Sequence, residues 1–426
     1  MKRDDLEKLS KEDLVELVLK LQRPAKTSRT SSKPPSTDHK SKREGSKPGG
    51  AKPGHKGHSR VLAENPDHTT DYHPEYCTGC SHAFDADATG EVIGAYDTID
   101  IPPIAPVIER HRRFACICPC CGVRTKAALP EAASGSPFGP NIAALAFYMK
   151  HIQHVSYQRL EAMFHSVFGL TISQGALGNM FRRGSKAFAA QKEAALVQLR
   201  RARAVASDET GVRIEGINAQ HWVFRSHDTV LHEVAFSRGA QVVRDVMDGH
   251  RPEFWCSDRY SAQQNHADRQ QACLAHLARD VAYAVDASDD PAPFRLKIWF
   301  GEVFALARNI GNLAASTIAR KRRDLENRIG SILCTRTECD IARTLLKKIA
   351  NAREQLLTFI DAPELLEPTN NGCERALRPA VIHRKVTNGF RATWGAQTDA
   401  ALRTTVDTAR LSGQNTYAVI RQTLAQ

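Results

Sequence analysis

Three acidic residues of this chain occupy positions from which they could bind catalytic metal ions. Asp208 and Asp258 each end a short strand-like run, and Glu374 lies in an Asn-rich segment much farther along the chain. Two-metal phosphoryl transfer requires carboxylates that converge on one point, because hard oxygen ligands hold the cations that activate the nucleophile and stabilise the leaving oxygen. The three residues are therefore candidate catalytic ligands of Mg²⁺, with Mn²⁺ as a substitute.

Glu374 also has a simpler interpretation. It follows Asn371 by three residues, which is the spacing of a helix capping box. If the segment is instead one continuous helix, Glu374, Arg378 and Lys385 fall within about 40° of one face, since each residue turns the helix by about 100°. The acid would then bind metal while the two cations contact phosphates. Pro379 could interrupt this helix, so both interpretations stay open.

Two Cys-x-x-Cys pairs predict a structural zinc site. One pair is Cys77 and Cys80, and the other is Cys118 and Cys121. Each tight turn directs two thiolates toward one ion, and the two turns together supply the tetrahedral shell that zinc prefers. In a reducing compartment such clustered cysteines are metal ligands rather than disulfide partners. In the second cluster the ligating pair stays open among four residues: Cys116, Cys118, Cys120 and Cys121.

The charge of the chain favours a polyanionic partner. It carries 59 Lys and Arg residues against 47 Asp and Glu, a formal net charge of +12. Most of the excess lies between residues 23 and 60, where eleven basic residues accompany two acids in a stretch rich in Pro, Gly and Ser. Lys52, His55 and Lys56 are candidate DNA contacts in this arm, and a plain flexible linker is the alternative. The longest apolar stretch, Ile142–Met149, is far too short to cross a bilayer, so we expect an intracellular protein.

Periodicity predicts helices in the first half of the chain. Residues 4–22 place leucines at helical spacing, which is typical of an amphipathic helix that either dimerises or packs on its own chain. Residues 139–200 also have helical spacing. A second helix in this region begins at Thr171 or Ser173, after a break at Gly169. Both a DNA-reading helix-turn-helix and an ordinary helical hairpin fit this pattern.

From residue 201 the pattern becomes β-like. Three strand-like runs are followed by a helix that Gly249 closes and by a fourth run, Phe254–Asp258. The helical crossover would place this fourth strand parallel to an earlier one. Residues 268–285 and roughly 294–360 have helical spacing, as do two stretches near the end of the chain. This order predicts a ribonuclease-H-like sheet with a helical insertion.

We therefore predict a multidomain α/β protein with a ribonuclease-H-like catalytic core. Its predicted segments are an amphipathic or coiled-coil helix (1–23), a flexible basic linker (24–63), a zinc-binding module (64–132), a helical and candidate DNA-binding region (137–200), the catalytic core (201–385) with a helical insertion at about 286–366, and a C-terminal helical segment (386–426).

The chain resembles the insertion-sequence-66 family of DDE transposases over almost its whole length. The matching motifs are residues 52–58 (KPGHKGH), the two cysteine pairs, 207–210 (SDET), 257–260 (SDRY), 273–279 (CLAHLAR) and 370–379 (NNGCERALRP). The resemblance implies that Asp208, Asp258 and Glu374 are the metal-binding triad and that the helical segment before Glu374 is an insertion. It allows His276 a role in supporting the site or contacting DNA. The cations expected to contact DNA are Arg375, Arg378, Arg384 and Lys385.

The resemblance further implies an enzyme that binds terminal inverted repeats, exposes 3′-hydroxyls by metal-assisted hydrolysis and joins these ends to target DNA. We expect a homo-oligomer on DNA, accessory proteins of the same element, and a cytoplasmic, nucleoid-associated location in a bacterium. Two other hypotheses stay open. One is a non-catalytic, zinc-containing DNA-binding regulator derived from a transposase, and the other is a ribonuclease-H-like nuclease that cuts without joining.

The chain departs from the family pattern near two of its motifs. Arg259 stands where the family usually has Gly, Leu274 replaces the Trp of its Cys-Trp-Ala-His run, and Asp280 replaces its second Arg. Cys273 and His276 lie three residues apart on a predicted helix. Because no second close pair completes a metal site, we interpret them as packing residues.

Overall fold

The computed structural model describes residues 10–21, 23–31, 50–51, 54–57, 60–85, 88–128 and 136–425. Lys52 and much of the basic arm lie outside these residues. The chain forms two compact units. The smaller unit comprises residues 40–108 and 167–169, and the larger comprises residues 1–39, 109–166 and 170–426.

Both helices and strands occur in the described chain, which confirms a mixed α/β fold. In chain order the helices are α1 (Lys11–Leu21), α2 (Pro140–Phe147), α3 (Tyr157–Phe168), α4 (Gln174–Leu199), α5 (Ala240–Met247), α6 (Leu274–Ala287), α7 (Pro291–Asn309), α8 (Ala315–Leu333), α9 (Asp340–Ala350), α10 (Asn371–Thr387), α11 (Thr393–Leu411) and α12 (Thr416–Leu424). The strands are β1 (Ala115–Ile117), β2 (Arg124–Lys126), β3 (Ala204–Ile214), β4 (Ile217–Arg225), β5 (Val230–Ala235), β6 (Phe254–Ser257) and β7 (Arg269–Ala272). No helix in the described part of the chain is long and apolar enough to cross a membrane.

A five-stranded mixed sheet with the order β5-β4-β3-β6-β7 organises the larger unit. β3, β4 and β5 form an antiparallel meander, whereas β6 lies parallel to β3 and β7 lies parallel to β6. The predicted meander and the parallel fourth strand are both confirmed. α5 connects β5 to β6 and ends where Asp248 adopts a left-handed conformation, directly before Gly249.

The sheet buries a different apolar cluster on each face because successive side chains of a strand point to opposite sides. Ala204 and Phe254 pack with residues of α6 and α7, among them Trp299. Their neighbours Val205 and Trp255 pack on the other face with residues of α4 and α5. Helices therefore cover both faces of the sheet, and the short apolar run of β6 is buried from both sides.

One predicted helix is wrong at its beginning. Residues 269–272 were expected to be helical, but they form β7, which pairs in parallel with β6. The side chain of Gln271 is buried and accepts a hydrogen bond from the backbone N–H of Phe359 at 2.8 Å. Pairing with the buried strand thus determines the conformation of this polar segment, and α6 begins only at Leu274.

The helical region before the sheet is confirmed in outline. α2 continues into a π-helical turn at Tyr148–Ile152, and α3 and α4 follow. The Ser173 hydroxyl caps α4 by accepting a hydrogen bond from the N–H of Ala176 at 3.2 Å, which selects Ser173 over Thr171 as the cap. α4 packs against α11.

The segment that carries Glu374 forms one helix, α10, which continues through Pro379. Its N-cap residue is Asn370 rather than Asn371, and the side chain of Asn370 makes no capping hydrogen bond. The capping-box interpretation of Asn371 and Glu374 is therefore wrong. Glu374, Arg378 and Lys385 lie on a single continuous helix, as the alternative interpretation required.

Candidate active site

Asp208 and Asp258 lie at the same level of two neighbouring strands. β3 and β6 pair in parallel as far as Ala206 and Cys256, and each aspartate follows its paired residue by two positions. Neighbouring strands are about 4.8 Å apart. Because side chains alternate along β3, the carboxylate of Asp208 lies on the same face as Ala206, which contributes to the apolar clusters beneath α6 and α10.

Glu374 reaches this edge of the sheet from α10. The apolar side of α10, including Cys373 and Leu377, packs against Val223 of β4 and Ala206 of β3. The approach is so close that a Cβ at Gly372 would lie 1.8 Å from the Nη1 atom of Arg225. A side chain at this position would have to displace the guanidinium group of Arg225, so the first turn of α10, with Glu374 in it, packs closely against β4.

Asn370 fixes the start of α10 to the two other segments of the site. Its Nδ2 atom donates to the backbone oxygen of Ser207 at 2.7 Å, next to Asp208. Its backbone N–H donates to the Sγ atom of Cys273 at 3.1 Å, and its backbone oxygen accepts from the N–H of Glu374 at 3.1 Å. Asn370 therefore connects the start of α10 to the segments that contain Asp208 and Cys273, and the sequence analysis did not select this residue.

The three acids interact electrostatically. Burial raises the pKa of Asp208 to about 8, and the negative charges of Glu209, Asp258 and Glu374 add to the increase. A hydrogen bond from the N–H of Glu209 at 2.9 Å opposes the shift without cancelling it. Two like charges held close together in a buried site disfavour ionisation of both. A bound cation would relieve this repulsion.

A second set of polar residues supports Asp208 from the opposite face of β3. The hydroxyl of Ser207 donates to Gln263 at 2.6 Å, and Gln263 in turn donates to the carboxylate of Glu209. Arg238 also donates to Glu209, at 2.8 Å. Burial raises the pKa of Glu209, although Arg238 opposes the shift. Sequence reasoning missed Glu209, Gln263 and Arg238, and only the position of Glu209 beside Asp208 could have suggested a role.

His276 lies beside Glu374. Its Nδ1 atom is 3.8 Å from the Oε1 atom of Glu374 and 3.3 Å from the Sγ atom of Cys273. Among the described residues, Cys273, His276 and Glu374 are the one group of three potential metal ligands whose ligand atoms all lie within 4.8 Å of one another. The interpretation of Cys273 and His276 as packing residues did not include Glu374, a third potential ligand that α10 places beside them.

A comparison with known families identifies the family of this chain. A family model for the transposase IS66 family matches residues 135–398, which is more than half of the chain. The chain belongs to the IS66 family of transposases. A comparison with curated proteins gave no match. The part that matches the IS66 family contains Asp208, Asp258 and Glu374, whereas the cysteine pairs and the basic arm precede it.

The predicted DNA contacts of this IS66-family chain differ in their surroundings. Arg375, Arg378 and Lys385 are exposed on α10. Arg384 is half-buried and donates to the backbone oxygen of Gly211 on β3. Its charge therefore also serves to attach α10 to the sheet. In the smaller unit, two further predicted contacts are exposed: His55 and Lys56.

The two cysteine pairs have the same backbone geometry, each within its own turn. The N–H of the first cysteine donates to the carbonyl oxygen five residues later, and its own oxygen accepts from the N–H four residues later. The residue at that fourth position has positive φ in both turns. The residues concerned are Cys77, Ser81 and His82 in one turn and Cys118, Gly122 and Val123 in the other.

Both turns favour the thiolate form of their first cysteine. Backbone N–H groups of Gly79 and Cys80 lower the pKa of Cys77. Those of Cys121 and Cys120 lower the pKa of Cys118 in the same way. Because zinc binds the thiolate rather than the thiol, such turns favour binding of the metal.

Proposed function

We propose that this chain is a DDE transposase in which Asp208, Asp258 and Glu374 hold two divalent cations, Mg²⁺ or Mn²⁺, for cleavage and joining of DNA. The observation that supports the proposal is that the negative charges of Asp258 and Glu374 both act on the carboxyl group of Asp208, in a chain that belongs to a transposase family. The strand order, with its meander followed by parallel strands, supports a ribonuclease-H-like core.

The residues of the site suit hard cations. The Oε1 atom of Glu374 is buried and accepts no hydrogen bond from the described residues, and a cation that binds it would displace the guanidinium group of Arg279, 3.6 Å away. The Oδ1 atom of Asp258 accepts a hydrogen bond from the N–H of Tyr260 at 2.8 Å, which orients the carboxylate. Carboxylate oxygens are preferred ligands of Mg²⁺. When bound, the two ions would activate the attacking oxygen and stabilise the leaving one.

The chain's own residues would prepare the site for this chemistry. Asp208 holds its proton near neutral pH and must release it when a cation binds, because its pKa is raised to about 8. Asn370 fixes the distance between β3 and α10, and Gln263 and Arg238 fix the segment around Glu209. The substrate would reach the exposed cations of α10, which we propose contact its phosphates.

We propose that the substrates are the terminal inverted repeats of the element and a target DNA. Joining two ends requires that both be held at once, so we propose that the chain acts as a homo-oligomer on DNA with accessory proteins of the same element. The basic residues, including His55 and Lys56 of the arm, would supply non-specific phosphate contacts. Binding should therefore weaken as salt concentration rises.

The decisive experiment measures DNA binding, nicking and strand transfer on a terminal-repeat duplex with Mg²⁺. We expect Asp208→Asn, Asp258→Asn and Glu374→Gln each to lower both reactions by at least about a thousandfold, because each removes a charge that holds a cation. Binding should survive in all three. Asp268→Asn is the matched control, since Asp268 directly precedes β7 of the same sheet but is 64% exposed and pairs with Arg251.

Each other outcome has a definite meaning. Near-normal nicking by Glu374→Gln would remove Glu374 from the catalytic group. DNA binding without metal-dependent nicking by the unaltered chain would favour the zinc-containing regulator. Nicking without strand transfer would favour a ribonuclease-H-like nuclease that cuts but does not join.

We also propose that Cys77, Cys80, Cys118 and Cys121 bind one structural zinc. The purified chain should contain about one tightly bound zinc, and the double variant Cys77→Ser/Cys80→Ser should lose it, because half of the tetrahedral shell is removed. Metal analysis of both proteins tests the proposal. Cys334→Ser is the control, since Cys334 is exposed on a different part of the chain. Unchanged zinc content in the double variant would contradict the assignment.

A further inference from the structure

Cys273, His276 and Glu374 form a compact group of three different ligand types at the edge of the proposed magnesium site. Cys273 is the N-cap residue of α6, His276 lies in the first turn of that helix, and Glu374 lies in the first turn of α10. The distance from Sγ to Nδ1 is 3.3 Å and that from Nδ1 to Oε1 is 3.8 Å. The three ligand atoms therefore converge on one small volume.

These distances fit one tetrahedral ion. A zinc ion bound at about 2.3 Å by sulfur and about 2.1 Å by nitrogen and oxygen places sulfur and nitrogen about 3.6 Å apart, and nitrogen and oxygen about 3.4 Å apart. The observed distances differ from these values by a few tenths of an ångström. Small side-chain rotations would therefore suffice for binding, and a fourth position would remain for water.

Two further features of the three-residue group favour binding of an ion, and one opposes it. The Oε1 atom of Glu374 is buried and accepts no hydrogen bond from the described residues, which leaves it available to an ion. The N–H of Asn370 donates to Cys273 at 3.1 Å and fixes the position of the sulfur. Against binding, the Nη2 atom of Arg279 lies 3.6 Å from Oε1 of Glu374 and must be displaced by a cation. We therefore expect this ion to bind less tightly than zinc at four cysteines.

We propose that Cys273, His276 and Glu374 bind a borderline-soft divalent ion of the zinc class, and that this ion inhibits magnesium-dependent cleavage. Thiolate and imidazole ligands select zinc-class ions, whereas Mg²⁺ prefers oxygen. Because Glu374 belongs to both groups, an ion held by sulfur and nitrogen draws its carboxylate away from the magnesium site. The inhibitory part rests on the proposed function, but the binding part does not.

The test is equilibrium dialysis of the full chain, with the proposed four-cysteine site already saturated with zinc, against added Zn²⁺. We expect the unaltered chain to bind one further, weaker equivalent. Cys273→Ser should lose this equivalent, and His276→Gln should bind it at least about tenfold more weakly. Cys256→Ser is the matched control, because Cys256 is a buried cysteine of β6 outside the group and should retain the extra equivalent.

A folded His276→Gln variant that binds the second equivalent as tightly as the unaltered chain would overturn the proposal, and so would an unaltered chain that binds none. His276 is 22% exposed, so this variant decides the matter if Cys273→Ser fails to fold. Added Zn²⁺ should also inhibit nicking by the unaltered chain at concentrations that do not inhibit His276→Gln. Because dialysis does not depend on nicking, loss of the proposed activity and loss of the metal site are distinguishable.

Discussion

Two polar clusters of the larger unit differ in how their negative charges are compensated. In the acid cluster (Asp208, Asp258 and Glu374), carboxylates repel one another and one buried oxygen has no hydrogen-bond partner in the described chain. In the α11 network, each buried carboxylate has a partner. The network consists of His151, His232, Asp399, Arg403 and Asp407.

The contacts within the α11 network are short and direct. Asp399 accepts from Arg403 at 2.7 Å and lies 2.9 Å from the ring nitrogen of His151. Arg403 also donates to the backbone oxygen of His151 at 2.9 Å. Asp407 lies 3.0 Å from His232 of β5. These contacts attach α11 both to the turn that follows α2 and to the edge of the sheet.

The difference in charge compensation between the two clusters is seen in the pKa values of Asp399 and Asp208. Burial alone would raise the pKa of Asp399. Arg403, and to a smaller extent His151, nevertheless hold this pKa well below its ordinary value. Burial and neighbouring acids instead raise the pKa of Asp208 to about 8. A buried charge is retained for stability only when a partner compensates it. The pKa of Asp208 is raised by neighbouring acids and is not lowered by a cation, which supports the proposed metal site.

The largest effect on stability should come from breaking the α11 network. Arg403→Met leaves the carboxylate of Asp399 buried without its cation, so we expect the free energy of unfolding to fall by about 3–5 kcal/mol. Urea unfolding measures the change. In the double variant Asp399→Asn/Arg403→Met no uncompensated charge remains, and the loss should be smaller. Equal losses in the two variants would mean that packing, and not charge, dominates the contribution of Arg403.

In the acid cluster, removing one charged group should stabilise the folded protein instead of destabilising it. The folded chain holds the proton of Asp208 up to about pH 8, whereas the unfolded chain releases it near pH 4. The folded state therefore binds more protons between these values, and its stability falls as pH rises through this window. Asp208→Asn removes the effect. At pH 8 and without added divalent ions, this variant should melt at a higher temperature than the unaltered chain. The expected gain in the free energy of unfolding is on the order of 2–5 kcal/mol.

The control and the pH profile make this prediction specific. At about pH 3 the two proteins should have nearly the same melting temperature, because Asp208 is then mostly protonated in both the folded and the unfolded state. Asp268→Asn, at an exposed acid, should not show this pH-dependent difference. A destabilised Asp208→Asn variant at pH 8 would contradict the contrast between the two clusters.

The sequence predicted those parts of the sheet that local pattern determines. β3, β4 and β5 alternate or are rich in β-branched residues, and the turn between β4 and β5 contains the short polar sequence His227-Asp228-Thr229. β7 was missed because Arg269-Gln270-Gln271-Ala272 has neither alternation nor β-branched residues. Its strand conformation depends on pairing with β6, which local reasoning does not include.

The acids of the candidate site could be selected from their positions, but their supports could not. Gln263 contacts Glu209 across 54 residues of sequence. Asn370 contacts Ser207 across 163 residues, and neither spacing has a period that predicts contact. The proximity of Glu374 to Cys273 and His276 was missed for the same reason, because Glu374 reaches them only through the packing of α10. Folding, not sequence spacing, assembles these groups.

Arg259 allows a smaller and more local test of the contrast between the acid cluster and the α11 network. The backbone is strained at this residue, next to Asp258 of the acid cluster. Arg259 has a φ of 71°, a left-handed conformation that favours glycine. Its side chain compensates by donating to the backbone oxygen of Asn351 at 2.8 Å and to Gln355 at 3.0 Å. The unusual backbone is thus stabilised by contacts with the end of α9.

We expect Arg259→Gly to lower the free energy of unfolding by about 1 kcal/mol, because the two lost hydrogen bonds and the added freedom of the unfolded chain outweigh relief of the strain. Arg259→Ala loses the same hydrogen bonds but keeps the strain, so it should be less stable than Arg259→Gly. Alanine normally stabilises a chain relative to glycine, and the reversed order would identify the left-handed backbone as its cause. Urea unfolding of the two variants measures the order. If Arg259→Ala is the more stable of the two, the strain beside Asp258 contributes little, and the side-chain contacts with α9 account for the whole effect.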